Sequence, residues 1–344
     1  MSRTPQIRAK DLRGIFGFML TPVKDQEITK HTQNAVDIDE AARGADALVR
    51  DGIDGLAINS TFGEVPSLTW EEAKAFTGTV IEAVRGRVPV FAGVTTLNTR
   101  DTITRARAYR DMGAVGLMLG RPMLTPLSDQ NAVQYFRDLA GEFPDTAIYI
   151  YENEEVFKRP LTTAVFAELA KIPNIVACKY RTKLLVGAAA KNTFDADLEA
   201  VGDRIKIMTQ ERDWLFAYKS FGLDACWSSS ICAGPAPHIV LRDALYAGKW
   251  DEAKKIIKEL QWTTEGLVPN GDFELWHEDK IPFMKARFNA AGYFKAGPTL
   301  PPYAYITPKR LEQAQELGRR GRELHDRYSR LSAAGAGTPK AVAA

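Results

Sequence analysis

The amino-acid sequence predicts an α/β protein, a closed (β/α)8 TIM barrel followed by a C-terminal α-helical extension. Short apolar runs alternate with amphipathic runs eight times between residues 14 and 247. The apolar runs are continuous, which is typical of parallel strands that helices cover on both faces. No GxGxxG motif and no phosphate-binding loop follows the first run. The open nucleotide-binding sheets therefore lose their main support, and a closed barrel is favoured.

Eight segments have the length and composition of buried strands. They are short, apolar, and rich in β-branched or aromatic residues. Thr21 and Pro22 end the first segment, and Pro89 opens the third. The predicted strands are 14–20, 55–60, 89–95, 114–120, 147–153, 175–180, 205–210 and 225–230.

The segments between these strands carry helix signals. Thr69, followed by Glu71 and Glu72, is typical of an N-cap with acidic residues in the first turn. Gly86 and Gly113 follow two of the segments as helix stops. The predicted helices are 37–51, 69–85, 98–112, 128–143, 162–172, 184–191, 213–221 and 237–247.

The last third of the chain differs, because helical segments follow one another there without strands. They are predicted at 251–261, 282–291 and 308–329. We therefore expect a barrel domain at 12–248 and a helical extension at 249–331, packed on the barrel. Residues 332–344 are mostly Ala, Gly, Pro and Thr, and we expect a disordered tail.

Composition excludes several classes of function. A net charge of +2 gives no electrostatic reason to expect nucleic acid or an anionic membrane surface. No apolar run approaches the ~18 residues of a membrane span, and residues 1–10 do not resemble a signal peptide. The three cysteines lie in apolar surroundings and the four histidines are scattered, which predicts a reduced, cytoplasmic protein without a metal site.

The sixth predicted strand ends in a lysine, Lys179. Burial disfavours the ammonium form, and a neutral amine is the form that attacks a carbonyl carbon to give a Schiff base. The other interpretation is a strand-end lysine whose amine reaches solvent. Active sites of (β/α)8 barrels lie at the C-terminal ends of the strands, which favours the catalytic interpretation.

Two neighbouring segments could complete a site around Lys179. Tyr151 and Asn153 share a face of the fifth strand by period-two alternation, and adjacent strands lie about 5 Å apart. The Tyr151 hydroxyl could therefore relay protons beside the lysine, although an aromatic residue that fills the barrel is the alternative. The loop 60–64 could present backbone N–H groups to a carboxylate, but glycine-containing loops are common.

Together these segments resemble the class I aldolase superfamily that includes dihydrodipicolinate synthase and N-acetylneuraminate lyase. The resemblance rests on 60–64 (STFGE) in place of the family's Gly-Thr-Thr-Gly-Glu, on 149–153 (YIYEN) in place of its Tyr-Asn motif, and on Lys179 in strand six. It spans residues 12 to 250.

The resemblance implies a division of roles. Lys179 would form an imine with pyruvate and Tyr151 would relay protons. The backbone amides of the loop, at Thr61, Phe62 and Gly63, would hold the pyruvate carboxylate. It further implies a small-molecule 2-oxo acid substrate, no cofactor beyond the covalent imine, and a homo-oligomer, in this family a tetramer.

One departure from the family is informative. The synthase uses the second threonine of its loop in a proton relay, and that position is Phe62 here. The resemblance therefore implies that the relay is absent and that the mouth suits an aromatic substrate. The segments 61–64, 97–100, 227–229, 295–298 and 301–303 resemble a narrower branch, the hydratase-aldolases of aromatic hydrocarbon breakdown, which cleave benzylidenepyruvates to an aryl aldehyde and pyruvate.

The substituent on the aryl ring stays open between two possibilities. Lys280 stands where the phenol-specific members have an asparagine, and a lysine would pair with an ortho carboxylate. Arg181, in phase with Lys179, is the competing partner; a solvated charge is the alternative for each. Trp227 is a candidate for the ring pocket, and Asn153 for orienting water or a hydroxyl. We expect trans-2'-carboxybenzalpyruvate, with trans-o-hydroxybenzylidenepyruvate as the alternative.

Two other functions remain as alternatives. Another pyruvate lyase or synthase, such as a sugar-acid aldolase, would share Lys179, but Phe62 and Trp227 argue against a polyol substrate. A barrel retained as a ligand-binding protein would bind pyruvate without forming an imine.

Overall fold

The structure, a computed structural model, describes residues 7–181 and 193–335 of the chain. Eight parallel strands pair in chain order and β1 pairs with β8, which closes the barrel. The predicted (β/α)8 fold is confirmed. The strands are β1 (Gly14–Phe18), β2 (Gly55–Ile58), β3 (Val90–Gly93), β4 (Gly116–Leu119), β5 (Ala147–Tyr151), β6 (Ile175–Lys179), β7 (Lys206–Gln210) and β8 (Ala225–Ser228).

The helices begin at capping residues that the sequence provides. Thr69 accepts a hydrogen bond from the N–H of Glu72, whose carboxylate in turn accepts from the N–H of Thr69. The helices are α1 (Ile38–Arg50), α2 (Trp70–Val84), α3 (Thr99–Asp111), α4 (Asp129–Glu142), α5 (Glu154–Phe157), α6 (Thr163–Leu169), α7 (Phe194–Val201), α8 (Trp214–Phe221), α9 (Ala236–Tyr246), α10 (Trp250–Trp262), α11 (Phe273–Ala291) and α12 (Pro308–Gly335).

The connection between β6 and β7 differs from the prediction. The helix predicted at 184–191 lies outside the described residues. The structure instead places α7 later in this connection, where no helix was predicted. Its N-cap, Thr193, accepts from the N–H of Ala196, and Asp195 and Asp197 occupy the first turn. These were readable signals for a helix start.

Helix α11 begins nine residues before the predicted start at Pro282. Asp272 caps it by accepting from the N–H groups of Glu274 and Leu275. Proline favours the first turn of a helix, which explains the prediction, but here Pro282 lies inside the helix. Residues on most sides of α11 are buried, so it has no polar stripe from which a helical period could be read.

The C-terminal helices pack on the barrel. α10 and α12 contact α9, and α11 contacts the short 3-10 turns Thr61–Gly63 and Ser230–Ala233, which follow β2 and β8. α12 extends to Gly335, so the predicted tail begins inside a helix and its remainder, 336–344, lies outside the described residues. The division into two domains stays a prediction.

Aromatic side chains fill the barrel interior toward its C-terminal end. Phe91 and Tyr149 meet edge to face with ring centroids 5.2 Å apart. Nearer the mouth, Phe18 contacts Trp227 at 5.7 Å and Tyr151 at 6.1 Å. The interior is therefore a packed core rather than a pore, and chemistry is confined to its rim.

Within the described ranges, none of the helices combines the length and the apolar character that crossing a bilayer requires.

Candidate active site

Lys179 and Tyr151 are direct neighbours across the β5–β6 pair. A register shift between Ile148 and Tyr149 precedes them and leaves both side chains on the inner face. The Lys179 amine lies 5.0 Å from the ring centroid of Tyr151 and 4.2 Å from that of Trp227. Lys179 is only 6% exposed, so the interpretation as a solvated strand-end lysine was wrong.

Burial lowers the pKa of the Lys179 amine to about 8, although the charges of Glu152 and Cys178 oppose the shift. The amine donates to the backbone carbonyl of Glu152 at 3.4 Å. The Glu152 carboxylate itself is engaged elsewhere, by an ion pair with Arg121 at 3.0 Å and by the N–H of Leu161 at 2.9 Å. Lys179 therefore has a desolvated amine to which no carboxylate within 7–181 and 193–335 is bound.

The Tyr151 hydroxyl is held by two side chains. It shares a hydrogen bond of 2.9 Å with the Thr61 hydroxyl and accepts one of 3.3 Å from the Asn153 side-chain amide. A threonine hydroxyl does contact Tyr151, although the second threonine of the family's loop is replaced by Phe62: Thr61, not position 62, provides the contact. A proton relay through it stays a prediction. The sequence did not reveal this contact because side-chain directions in a loop do not follow a fixed period.

The loop after β2 forms the 3-10 turn Thr61–Gly63. The N–H of Gly63 donates to the carbonyl of Ser60 at 3.0 Å and is not available to a ligand. The first N–H groups of a helix have no acceptor within it. Thr61 and Phe62 are thus the residues of this loop whose amides can serve a carboxylate, and Gly63 is not.

A buried ion pair joins this loop to the C-terminal extension. Glu64, with no exposed surface, forms an ion pair with the Lys285 amine of α11 at 2.8 Å and accepts a hydrogen bond from the N–H of Leu300 at 3.0 Å. Lys285 also donates to the carbonyl of Thr21 at 3.0 Å. Burial lowers the pKa of Lys285, against the attraction of Glu64. The position of the loop therefore depends on α11.

A cavity of about 380 Å³ opens over Lys179. Phe62 and Trp227 provide aromatic walls, and Asn153 and Arg181 provide polar ones. This volume suits a small aromatic molecule. The structure thus brings most of the sequence-predicted residues to one cavity.

One face of α11 lines the same cavity. Phe273, Trp276, Met284 and Arg287 all border it, and their spacings of three, eight and three residues place them along one stripe. Lys280 lies four residues from Trp276 and four from Met284. Its spacing places it on the same stripe, inside the helix rather than before it as predicted, but it is not one of the residues that line the cavity.

Positive charges gather at the mouth around Lys280. Burial lowers the pKa of its amine, the charges of Lys179 and Arg181 lower it further, and Tyr151 opposes them. His277, one turn earlier, also has a lowered pKa, first through burial and then through Lys280. The Arg181 guanidinium stacks over the Phe273 ring at 4.7 Å. An anionic group in this region would relieve the mutual repulsion.

Three charged residues of the cavity were missed in the sequence. Glu211, Arg212 and Arg287 all line it. Glu211 directly follows β7, so an acidic residue at the C-terminal end of a barrel strand was a usable signal. No sequence signal marked Arg287, because its burial depends on the packing of α11. No cluster of three or more potential metal ligands from His, Cys, Asp and Glu occurs within 7–181 and 193–335.

Comparison with known proteins places this geometry in a family. Residues 11–277 match the model of the dihydrodipicolinate synthetase family, a span that includes all eight strands. The chain belongs to the dihydrodipicolinate synthetase family.

Within the dihydrodipicolinate synthetase family, the chain is similar to two hydratase-aldolases over nearly its whole length. It is 38% identical to the trans-2'-carboxybenzalpyruvate hydratase-aldolase of Nocardioides sp. (strain KP7), covering 94% of this chain and 97% of the relative. It is 39% identical to the trans-O-hydroxybenzylidenepyruvate hydratase-aldolase of Pseudomonas putida, covering 95% and 98%.

Solved structures agree with this placement. A structure of PhdJ bound to a substrate intermediate superposes with a TM-score of 0.90 at 41% identity, covering 94% of this chain and 99% of that one. The dihydrodipicolinate synthase of Thermotoga maritima superposes with a TM-score of 0.75 at 18% identity over 91% and 99%, which shows the shared fold.

Proposed function

We propose that this protein is a Schiff-base hydratase-aldolase, a carbon–carbon lyase that converts a benzylidenepyruvate and water to an aryl aldehyde and pyruvate. The observation that carries the proposal is the buried Lys179 amine beside Tyr151, in a cavity with Phe62 and Trp227 as aromatic walls. Similarity to two benzylidenepyruvate hydratase-aldolases supports it.

Lys179 supplies the covalent step. Its neutral amine condenses with the ketone of the 2-oxo acid, and the conjugated iminium activates the β-carbon toward water. Retro-aldol cleavage of the hydrated adduct then releases the aldehyde and leaves a pyruvate enamine. Because the iminium accepts electrons in both steps, the proposed chemistry uses no metal or organic cofactor.

Tyr151 handles protons next to the imine. Its hydroxyl, held by Thr61 and Asn153, can give a proton to the enamine carbon and recover it through the Thr61 hydroxyl. The N–H groups of Thr61 and Phe62 bind the pyruvate carboxylate.

The aryl ring lies between Phe62 and Trp227, and we propose that it carries an ortho carboxylate, with 2-carboxybenzaldehyde as the product. The cations Lys280 and Arg181 support this assignment, because ammonium and guanidinium groups form strong charge-assisted hydrogen bonds with carboxylates. An ortho hydroxyl, giving salicylaldehyde, is the second candidate; the 39% identity to the P. putida relative favours it.

The test is steady-state turnover of ortho-carboxy and ortho-hydroxy benzylidenepyruvate by wild type, Lys280→Asn and Arg181→Gln. We expect wild type to prefer the carboxy substrate, and one of the two variants to lose that preference by about 10-fold or more, the effect of one lost charged hydrogen bond. The exposed Lys254→Asn is the matched control. A preference that survives both substitutions contradicts the assignment.

Trapping with pyruvate and borohydride tests the chemistry itself. We expect an irreversible mass increase on Lys179. Pyruvate binding without an adduct would favour a ligand-binding barrel, and turnover of sugar acids in preference to benzylidenepyruvates would favour a sugar-acid aldolase.

We also propose that the chain forms a homo-oligomer, a tetramer by resemblance to its family. Leu97 and Leu124 are 59% and 76% exposed, and Leu97 borders a groove of about 600 Å³ with Val65 and Trp70. Exposed leucines beside an apolar groove are typical of interfaces. Light scattering of wild type and Leu97→Glu tests this: a smaller mass for the variant is expected, and a monomeric wild type would contradict it.

We propose the cytoplasm as the site of action. The buried thiols of Cys226 and Cys232 form no disulfide, and burial raises the pKa of Cys232 to about 12. Unreactive thiols fit a reducing compartment. Cell fractionation with an antibody to the chain tests this.

A further inference from the structure

Two buried charged side chains line the cavity and have no role in the imine chemistry. Glu211 opens the 3-10 turn Glu211–Asp213 directly after β7 and is 5% exposed. Arg287 projects from α11 and is 1% exposed. Both border the same cavity as Lys179.

Neither side chain has its hydrogen-bonding capacity filled. Oε2 of Glu211 and Nε of Arg287 are buried without a partner. Arg287 donates through Nη2 to the Ser230 hydroxyl at 3.4 Å. Leaving a buried charged group unsatisfied costs about 1–3 kcal/mol or more, so a polar atom from the cavity is expected to complete both. In a cavity of this kind that atom belongs to water or to substrate.

Glu211 is the single carboxyl among the described residues that line the cavity. The two other buried acids near the mouth are committed to structure: Glu152 pairs with Arg121, and Glu64 with Lys285. Addition of water to an enone and removal of a hydroxyl proton both require a proton acceptor near the β-carbon. Among these acids, Glu211 is the one available.

We propose that Glu211 is the general base of this enzyme, which takes a proton from the attacking water and later from the hydroxyl that the water leaves on the β-carbon. The charge of Arg287 favours the ionised form of this carboxyl. The inference rests on the proposed hydratase-aldolase function.

The electrostatics of Glu211 agree with this role. Burial raises the pKa of its carboxyl to about 7, with Arg212 and Arg287 opposing the shift and Asp213 adding to it. The charge of Glu211 in turn adds to the raised pKa of the buried Cys226 thiol. A base with a pKa near neutral pH is effective because it is largely ionised and still basic.

Hydration and cleavage each transfer one proton to Glu211. In hydration, an O–H bond of water breaks, its proton moves to Glu211, oxygen bonds to the β-carbon, and the C=C electron pair moves through the conjugated system onto the iminium nitrogen. The enamine carbon then takes a proton from Tyr151. Glu211 releases its proton to solvent and Tyr151 regains one, so that both residues return to their starting forms. In cleavage, Glu211 takes the hydroxyl proton, C=O forms, and the C–C bond breaks. Its electron pair becomes the C=C bond of the enamine, while the C=N electron pair moves onto the nitrogen and neutralises it.

Glu211→Gln tests the inference, because it keeps the shape and removes the base. We expect turnover of the preferred benzylidenepyruvate to fall by about 10²- to 10⁴-fold, mainly in kcat. Borohydride trapping of pyruvate and deuterium exchange of its methyl protons need Lys179 but not this base, and should stay near wild type. The kcat of wild type should fall as the pH is lowered through about 7, whereas the residual kcat of the variant should not depend on pH in this range. Glu265→Gln, which removes an exposed carboxyl beside the cavity, is the matched control.

A second variant separates chemistry from packing. Formate should restore part of the turnover of Glu211→Ala in proportion to its concentration, because it replaces the lost carboxylate; a structural role would not respond. Undiminished turnover by Glu211→Gln overturns the role of Glu211 and leaves the proposed function standing. The same holds if the variants lose both pyruvate trapping and turnover and formate restores neither. A wild type that traps pyruvate but hydrates no benzylidenepyruvate overturns the proposed function and this inference with it.

Discussion

The reactivity of Lys179 is predicted to follow a pKa of about 8 instead of its ordinary value of 10.5. The cause is burial of the amine between the rings of Tyr151 and Trp227. The difference of 10.5 − 8 is 2.5 units. At pH 7 about one amine in ten is then neutral, compared with about one in 3,000 for an ordinary lysine, a gain of roughly 300-fold in nucleophile.

Borohydride trapping with pyruvate measures this gain. The initial rate of adduct formation on Lys179 should rise about tenfold per pH unit from about pH 6, because the unreactive ammonium form dominates below the pKa, and should level off above about pH 8. Lys179→Arg keeps the positive charge and should form no adduct.

Two results would contradict a lowered pKa or a nucleophilic role for Lys179. A rate that continues to rise tenfold per unit up to about pH 10 would show an amine of ordinary pKa and therefore a hydrated one. An adduct on another lysine would refute the assignment of the nucleophile.

Three further substitutions test separate parts of the site. Lys285→Met leaves Glu64 buried without its cation and should lower the free energy of unfolding by about 3–5 kcal/mol in urea denaturation; a loss below about 1 kcal/mol would contradict the buried pair. Thr61→Val removes a hydrogen bond to Tyr151 and should slow deuterium exchange of pyruvate by about tenfold, so an unchanged exchange rate would argue against the relay. Phe62→Ala should raise KM for the aryl substrate by about 10- to 200-fold, with pyruvate trapping unchanged; a matching loss in trapping would show that Phe62 acts on the pyruvate half.

The barrel and the proximity of Tyr151 to Lys179 could be predicted because both follow from local rules. Continuous apolar runs gave the strands, and period-two alternation placed Tyr151 and Lys179 on inner faces. The rule that active sites lie at the C-terminal ends of barrel strands then located the mouth. These inferences need neighbours along the chain and no distant contact.

The parts that could not be predicted depend on packing between distant segments. Pro282 suggested a helix start, whereas the Asp272 cap and burial on most sides of α11 extend that helix by nine residues. The same burial made Arg287 a cavity residue. The Thr61–Tyr151 contact depends on how a loop aims its side chains, for which no periodicity exists.

The cavity-facing stripe of α11 has a consequence for how such a site can change. From Trp276 to Arg287 it advances eleven positions, or about 16 Å at 1.5 Å per residue. It therefore extends along the cavity, away from the strand ends and the β2 loop, where the proposed function places the pyruvate half of the substrate. On that proposal, a substitution on this helix, such as one at Lys280, changes which ring substituent is accepted and leaves the imine in place. Substrate range and bond-breaking chemistry would then evolve through separate sets of residues.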